Sequence, residues 1–296
     1  APRVGLRAGQ RLGREARPVL GGARGDGGVV EAQEHAPQVE QHGRHGRRGQ
    51  DARRVAQRVR LWQLGPVRIW VSGARGFVGS WLVPHLDSAG HAVVAVDRDV
   101  DVCEAGAVGA SIAAARPDAI VHLAALASVA ASLGAPERTA RVNVLGALHV
   151  LRAARAHAPA ARVLLVSSGE IYGAAEEGVA FDESAPLAPG TPYARAKAAA
   201  DRLGAVFAAR GLDVVRARPF NHTGAGQGDA FVASSFARQL AEIEAGRREP
   251  VLAVGNLAAV RDFLDVADVV EAYRLLLERP VPAGEYNVAS GAGVSI

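Results

Sequence analysis

The sequence predicts a doubly wound parallel α/β sheet, and three observations carry that expectation. Short apolar, β-branched runs alternate with Ala-rich helical patterns over most of the chain. Three spaced glycines stand where the first run hands over to the first helix. An aspartate closes the second run, at the end of the strand where open sheets of this kind hold ligands. A chain of 296 residues that is 49% hydrophobic can build the core such a sheet needs.

Taken in order, "VRIWVS" from Val67 reads as a buried strand, "FVGSWLVPHLDSAG" as a helix closing at Gly90, and "HAVVAVD" as the second strand. "PDAIVHLAA", "ARVLLVSS" and "LDVVRARP" supply three more strands with helices between them. The helix from about Pro136 to His157 puts Val142, Leu145 and Leu148 on one face. Strand followed by helix, repeated, gives a nucleotide-binding layer over residues 67–219. After Pro219 the alternation loosens. Helices are expected at Phe231–Ala245 and Val266–Glu278, with short strands at "VLAV", "DFLDV" and "EYNVA", forming a smaller, partly interleaved lobe over 220–296.

Residues 1–66 differ in kind. They are rich in Gly, Arg, Gln and His, show no sustained period, and read as a disordered or non-native leader, a reading that the absence of an initiating Met supports. They hold 13 Arg against 6 acidic residues, while the whole chain carries only +4, so the body is mildly acidic and a nucleic-acid-binding globular face is not expected. His35, His42 and His45 lack Cys or carboxylate partners at fixed spacing, so no metal site is expected. Cys103 is the lone cysteine and is expected to stay reduced. No run approaches the ~18 apolar residues of a membrane helix and no signal peptide is visible, which makes a cytoplasmic protein the expectation.

The glycines, Gly73, Gly76 and Gly79 in "SGARGFVGS", have a chemical reading. The first permits a tight turn; the second lets backbone amides, those of Phe77 and Val78 among them, approach a pyrophosphate; the third lets the helix pack on the sheet. Asp97, eighteen residues after Gly79, is suited to accept hydrogen bonds from the adenosine ribose. Its charge leans toward NAD, whereas Arg75 and Arg98 are suited to a 2′-phosphate, leaving NAD and NADP both open. Asp101 is a candidate for the adenine, and the backbone of Leu123, Ala124 and Ala125 for lining the nucleotide.

"PYARAKAAAD" contains the only lysine of the chain, Lys197, four residues after Tyr193. On a helix the two lie one turn apart on one face. A free phenol titrates near ~10, and an adjacent ammonium is expected to lower that value and make Tyr193 a usable acid or base for a carbonyl or alcohol. A planar guanidinium cannot present a compact charge to both ribose hydroxyls and the phenol, which explains why Lys rather than Arg stands there. Of Ser167 and Ser168, which leave the fourth strand, Ser168 is the expected hydrogen-bond donor to substrate. Asn143, polar inside an apolar helix, is expected to hold a water or a carbonyl near Lys197.

With these residues in view, the chain from Val67 to Ile296 resembles the extended short-chain dehydrogenase/reductases, the NAD-dependent epimerase/dehydratase family acting on nucleotide-diphosphate sugars. The resemblance is carried by "GARGFVG", "HLAALASV", "VNVLGALHVL", "SSGEIYG", "PYARAK", "RPFNHTGAGQ" and "RDFLDVADVV" in the usual order. It is strongest toward members that reduce GDP-4-keto-6-deoxy-D-mannose, with GDP-mannose 4,6-dehydratases close by. It implies a Rossmann sheet, an NAD(P)H cofactor, catalytic Ser168, Tyr193 and Lys197, and a GDP-sugar substrate reduced to GDP-D-rhamnose. It further implies that Asn221 and Arg261 hold the substrate near its phosphates, and that a homodimer forms through the helices carrying Asn143 and Tyr193. Glu170 stands where dehydratases keep a glutamate, but Gly169 has no side chain where a paired acid would be, so reductase, dehydratase and C4-epimerase all remain open. The resemblance also implies a further segment beyond "GAGVSI" that completes the substrate lobe, and gives residues 1–66 no counterpart.

Overall fold

The computed structural model describes residues 65–175 and 179–296. The leader reading for residues 1–66, except Gly65 and Pro66, and the three histidines within it lie outside the described residues.

Strands β1 (Arg68–Ser72), β2 (Ala92–Val96), β3 (Ala119–His122), β4 (Arg162–Val166), β5 (Asp213–Pro219) and β8 (Gly284–Val288) form one six-stranded sheet in the order β2-β1-β3-β4-β5-β8. Every pairing in it is parallel. Side chains alternate between its two faces, as the pleat requires. Trp70, Ile120, Val163, Leu165 and Val214 meet helices α2 (Ala105–Ala115), α5 (Gly146–His157) and α6 (Pro192–Ala209) on one side. Ile69, Val71, Val121, Leu164 and Val215 meet α1 (Phe77–Ser88) and α8 (Val266–Glu278) on the other. A sheet covered on both faces explains why its central strands read as continuous apolar runs. The chain steps from β1 outward to β2 and then back past β1 to β3, so the strand order reverses there and opens a crevice beyond the carboxyl ends of β1 and β3.

The expected helix through Asn143 is interrupted. Short helices α3 (Val129–Gly134) and α4 (Pro136–Ala140) lead into one turn of π-helix at Arg141–Leu145 before α5 begins. The wider turn carries an extra residue, and while Val142 and Leu148 pack against the core as expected, Leu145 does not. Leu145, expected to lie inside, is 40% exposed, while Gly146, Ala147, Val150 and Leu151 take the buried positions.

Residues after Pro219 serve two layers. β8, expected from "EYNVA", joins the six-stranded sheet beside β5, and α8 covers that sheet. β6 (Asn221–Thr223), β7 (Val260–Asp265) and β9 (Gly293–Ser295) form a separate three-stranded sheet, parallel between β6 and β7 and antiparallel between β7 and β9. Helix α7 (Val232–Glu244) has the expected extent to within a residue at each end. The expected strand at "VLAV" does not form. Gln239, on α7, takes the place of a neighbouring strand: its amide accepts from the N–H of Ala253 at 2.8 Å and donates to the carbonyl of Ala253 at 3.1 Å.

Candidate active site at the carboxyl edge of the sheet

The glycine loop is shaped by close approach. Gly73 has φ of +71°, and a Cβ there would stand 2.7 Å from the Ala124 nitrogen. A Cβ on Gly79 would stand 2.3 Å from the Gly73 carbonyl oxygen, so only glycine lets α1 start so near the loop. Gly76 caps α1 with no side-chain hydrogen bond. The first-turn N–H groups of Phe77, Val78 and Gly79 have no intrahelical acceptor and aim along the positive end of the helix dipole. This arrangement fits a dinucleotide pyrophosphate, and the adjoining end of β2 fits its ribose. Asp97 there accepts from the N–H of Arg75 at 2.9 Å and of Arg98 at 3.0 Å. Arg75 pairs through its guanidinium with Asp99 at 2.9 Å, a contact absent from the sequence reading. Asp101 accepts from the N–H of Cys103 at 2.9 Å and caps a turn. Leu123 donates its N–H to the Ser72 carbonyl, which holds the Leu123–Ala125 segment beside the glycine loop.

Asn143 is buried within the π-turn, a type of bulge frequent at functional sites. Its side chain engages both ends of one residue on the loop after β3, accepting from the Leu126 N–H at 2.8 Å and donating to the Leu126 carbonyl at 3.1 Å. It is therefore a residue that fixes the backbone lining the crevice, and the carbonyl it holds is that of Leu126.

Thr191 caps α6 through its hydroxyl, which accepts from the Ala194 N–H, and Pro192 occupies the first turn. The helix starts there, so Tyr193 and Lys197 fall one turn apart, and both are buried. Lys197 donates from Nζ to the Val166 carbonyl at 2.8 Å, at the end of β4. Ser168, two residues further on, lies close enough to the Tyr193 phenol to act on its pKa. The structure thus brings Ser168, Tyr193 and Lys197 together.

Their electrostatics differ from the expectation. The phenol of Tyr193 is not lowered: burial pushes it up to about 12, the nearby Ser168 hydroxyl opposes that, and the Glu170 carboxylate adds to it. Burial also brings Lys197 down to about 8. The physical reason is that both charged forms lose hydration on burial, which is the leading cause at each. Burial, with Lys197 nearby, likewise lowers His122 to about 3, and its Nδ1 meets the Ser72 hydroxyl at 2.8 Å as a neutral ring.

Glu170 and Gly169 lie on a single 3-10 turn, Gly169–Tyr172, that opens at Ser168. A Cβ on Gly169 would meet the Phe220 ring at 3.0 Å, so a side chain at this position requires that ring to give way. Asn221 pairs with Phe263 in the small sheet, and Arg261 is two residues before Phe263 on the same strand. The period of two puts Asn221 and Arg261 on one face. Arg261 is exposed and donates to the Val260 carbonyl. The small sheet adjoins the glycine loop, with His222 stacked on Phe77 at 6.2 Å and Trp81 donating to the Ala225 carbonyl at 3.0 Å.

Sequence reasoning missed the support behind this site. Asp201, one turn past Lys197, is buried and accepts from both Arg216 and Arg218. Arg218 also donates to the Tyr172 hydroxyl, which donates in turn to Asn287 on β8. The network ties the 3-10 turn, α6, β5 and β8 together. The signal was present in "VVRARP", two arginines in an otherwise apolar strand, because a fully buried guanidinium requires an anionic partner.

The NAD dependent epimerase/dehydratase family matches residues 69–289. GDP-6-deoxy-D-mannose reductase of Pseudomonas aeruginosa is 39% identical over 229 residues, covering 76% of this chain and 75% of that protein. The structure of RMD from Pseudomonas aeruginosa complexed with NADPH is similar with a TM-score of 0.72 at 38% identity, over 77% of this chain and 78% of that one. The UDP-glucose 4-epimerase of Thermus thermophilus in complex with NAD gives a TM-score of 0.69 at 31% identity, over 77% of this chain and 79% of that one. This chain belongs to the NAD dependent epimerase/dehydratase family. Its cofactor is a nicotinamide dinucleotide. Among the described residues no helix is long and apolar enough to cross a membrane, and no group of His, Cys, Asp or Glu is arranged to hold a metal ion.

Proposed function

We propose that this protein reduces the C4 keto group of GDP-4-keto-6-deoxy-D-mannose to give GDP-D-rhamnose, with Tyr193 as proton donor. The observation that carries the reading is the placement of Ser168 beside the buried Tyr193 phenol, with the buried Lys197 one helical turn on, beyond the carboxyl end of β4. A phenol raised to about 12 holds its proton at neutral pH, and that is the form a reduction consumes. A nicotinamide dinucleotide held by the glycine loop would supply the hydride to the carbonyl carbon. Ser168 donates a hydrogen bond to the carbonyl oxygen, orienting it toward the phenol, and Tyr193 delivers the proton to O4 as charge develops there. Lys197 stabilises the tyrosinate that remains. Asn221 and Arg261, on one face of the small sheet, hold the diphosphate, the guanidinium through paired hydrogen bonds. In this reading residues 67–219, completed by α8 and β8, are the dinucleotide domain, and the remainder of 220–296 is the substrate lobe. The name of the Pseudomonas aeruginosa relative agrees with it.

A second reading has one observation in its favour. Glu170 lies close enough to Tyr193 to raise its pKa, where a dehydratase needs a carboxylate base for the C5 proton. The crowding of Gly169 by Phe220 weighs against it, since expulsion of the C6 hydroxyl calls for a nearby acid. The two readings separate in one assay. The protein is incubated with GDP-4-keto-6-deoxy-D-mannose plus NADPH or NADH, and separately with GDP-mannose plus catalytic oxidised cofactor. The reductase reading expects loss of reduced-cofactor absorbance and a GDP-6-deoxyhexose in the first mixture alone. Keto-sugar formed in the second, without net cofactor use, makes Glu170 the central residue and overturns it.

We also infer a cytoplasmic homodimer joined through the helices carrying Asn143 and Tyr193. Leu145 and Val206 are exposed on these two helices, at 40% and 44%, and suit such an interface. Light scattering of the native protein and of Leu145→Glu tests it; a monomer in both removes the inference.

A further inference from the structure

The corner beyond β2 carries more charge than ribose binding alone requires. Asp97 has its orientation set by two backbone donors, the N–H groups of Arg75 and Arg98. Asp99 turns back onto the same corner, where one oxygen accepts from the Asp97 N–H at 2.9 Å and from the Arg75 guanidinium at 2.9 Å. The Arg75 side chain leaves the glycine loop, where the pyrophosphate fits, and is drawn by Asp99 across the end of β2, where the adenosine ribose fits. Both members of the pair are open to solvent, at 72% and 52%. So exposed a pair adds little to stability, and its geometry calls for another explanation.

We propose that Asp99, by engaging the Arg75 guanidinium, selects a 2′-hydroxyl over a 2′-phosphate on the adenosine ribose of the dinucleotide. The inference rests on the dinucleotide reading of the glycine loop. A 2′-phosphate brings nearly two negative charges to a corner that already holds Asp97 and Asp99. Arg98 stands beside Asp97, but it is the Arg75 guanidinium that Asp99 holds at this corner, and its fork matches a phosphate as well as it matches a carboxylate. Asp99 therefore acts twice: it repels the incoming phosphate and occupies the guanidinium that would receive it. A free 2′-hydroxyl meets neither obstacle, because Asp97 accepts its hydrogen bond.

The test is equilibrium binding, by titration calorimetry, of ADP-ribose and 2′-phospho-ADP-ribose to the native protein, Asp99→Asn, Arg75→Ala and the double variant. Asn keeps an oxygen to accept from the Asp97 N–H, and circular dichroism checks that each variant is folded; Asp99→Ser repeats the test with a smaller side chain. The native protein is expected to favour ADP-ribose. Asp99→Asn should tighten binding of the 2′-phosphorylated ligand by about tenfold, the size of one nearby charge in a solvated site, and leave ADP-ribose within about threefold. Adding Arg75→Ala should shrink the gain to the part that comes from lost repulsion. Equal changes for both ligands, no change for either, or a gain as large without Arg75 as with it each overturn the proposal. If folded native protein binds neither ligand, the dinucleotide reading itself fails and the proposal falls with it.

Discussion

The two sheets of this molecule contrast in how they are held. β3 and β5 of the six-stranded sheet are buried at every residue, whereas β6 is half-buried throughout and β9 is exposed along its length. Large apolar side chains follow the same division: Leu164 and Ile120 are fully enclosed, while Val260 and Val294 on the small sheet are more than half exposed. The Ser168, Tyr193 and Lys197 cluster sits against the first sheet, and Asn221 and Arg261 belong to the second. Proton transfer depends on donor and acceptor being fixed within hydrogen-bond reach, and close packing supplies that rigidity. A guanidinium that grips a diphosphate reaches outward on a long side chain and needs less.

This contrast can be broken most sharply at Tyr193. Tyr193→Phe should retain dinucleotide binding and lose turnover by about 10²–10⁴-fold, measured as kcat with binding followed separately. Native turnover in that variant would remove the packed site from the chemistry. Leu164→Ala, in the buried core, should lower unfolding free energy by about 2–5 kcal/mol in denaturant titrations. At the small sheet, Arg261→Ala should raise KM for the sugar nucleotide by about tenfold or more while cofactor binding and Tm stay put. A fall in Tm there would show that the small sheet supports the fold as well as the substrate.

Lys197 gives a gentler probe of the packed side. Burial lowers its folded pKa to about 8 from an ordinary value of 10.5. Between these values the unfolded chain binds the proton that the folded chain has released, so folding stability rises as pH rises through this window. Below about 8 both states are protonated, and the full cost of burying the charge is present. Native stability measured relative to Lys197→Met should therefore increase from pH 8 to 10.5 by roughly 1–3 kcal/mol. A flat difference means that the ammonium is not desolvated. The smallest effect belongs to Val294→Ala, expected within about 0.5 kcal/mol of the native protein; a larger loss would erase the contrast between the sheets.

Most of the site was legible in the sequence because its signals are local. Gly73, Gly76 and Gly79 identify themselves by spacing and by the strand and helix around them, and Tyr193 and Lys197 by a single helical turn. The "VLAV" strand and the inward position of Leu145 were misread for one shared reason. Each depended on a neighbour far away or on a local irregularity: the Gln239 amide standing in for a strand, and the π-turn that ends at Leu145 and leaves it exposed. Periodicity assumes regular geometry and carries no information about either.

By itself, the sequence determined the sheet class, the glycine loop, the aspartate after the second strand and the Tyr–Lys spacing, since each is set by contacts within a turn or a strand. Only the tertiary structure decided which charges meet. Asp201 pairs with Arg216 and Arg218 across 15 and 17 residues, and Asp99 with Arg75 across 24. It also decided that the Tyr193 phenol is raised where the spacing alone suggested it would be lowered. The physical reason is the same in each case: burial and long-range pairing set the energy of a charge, and both exist only once the chain has folded.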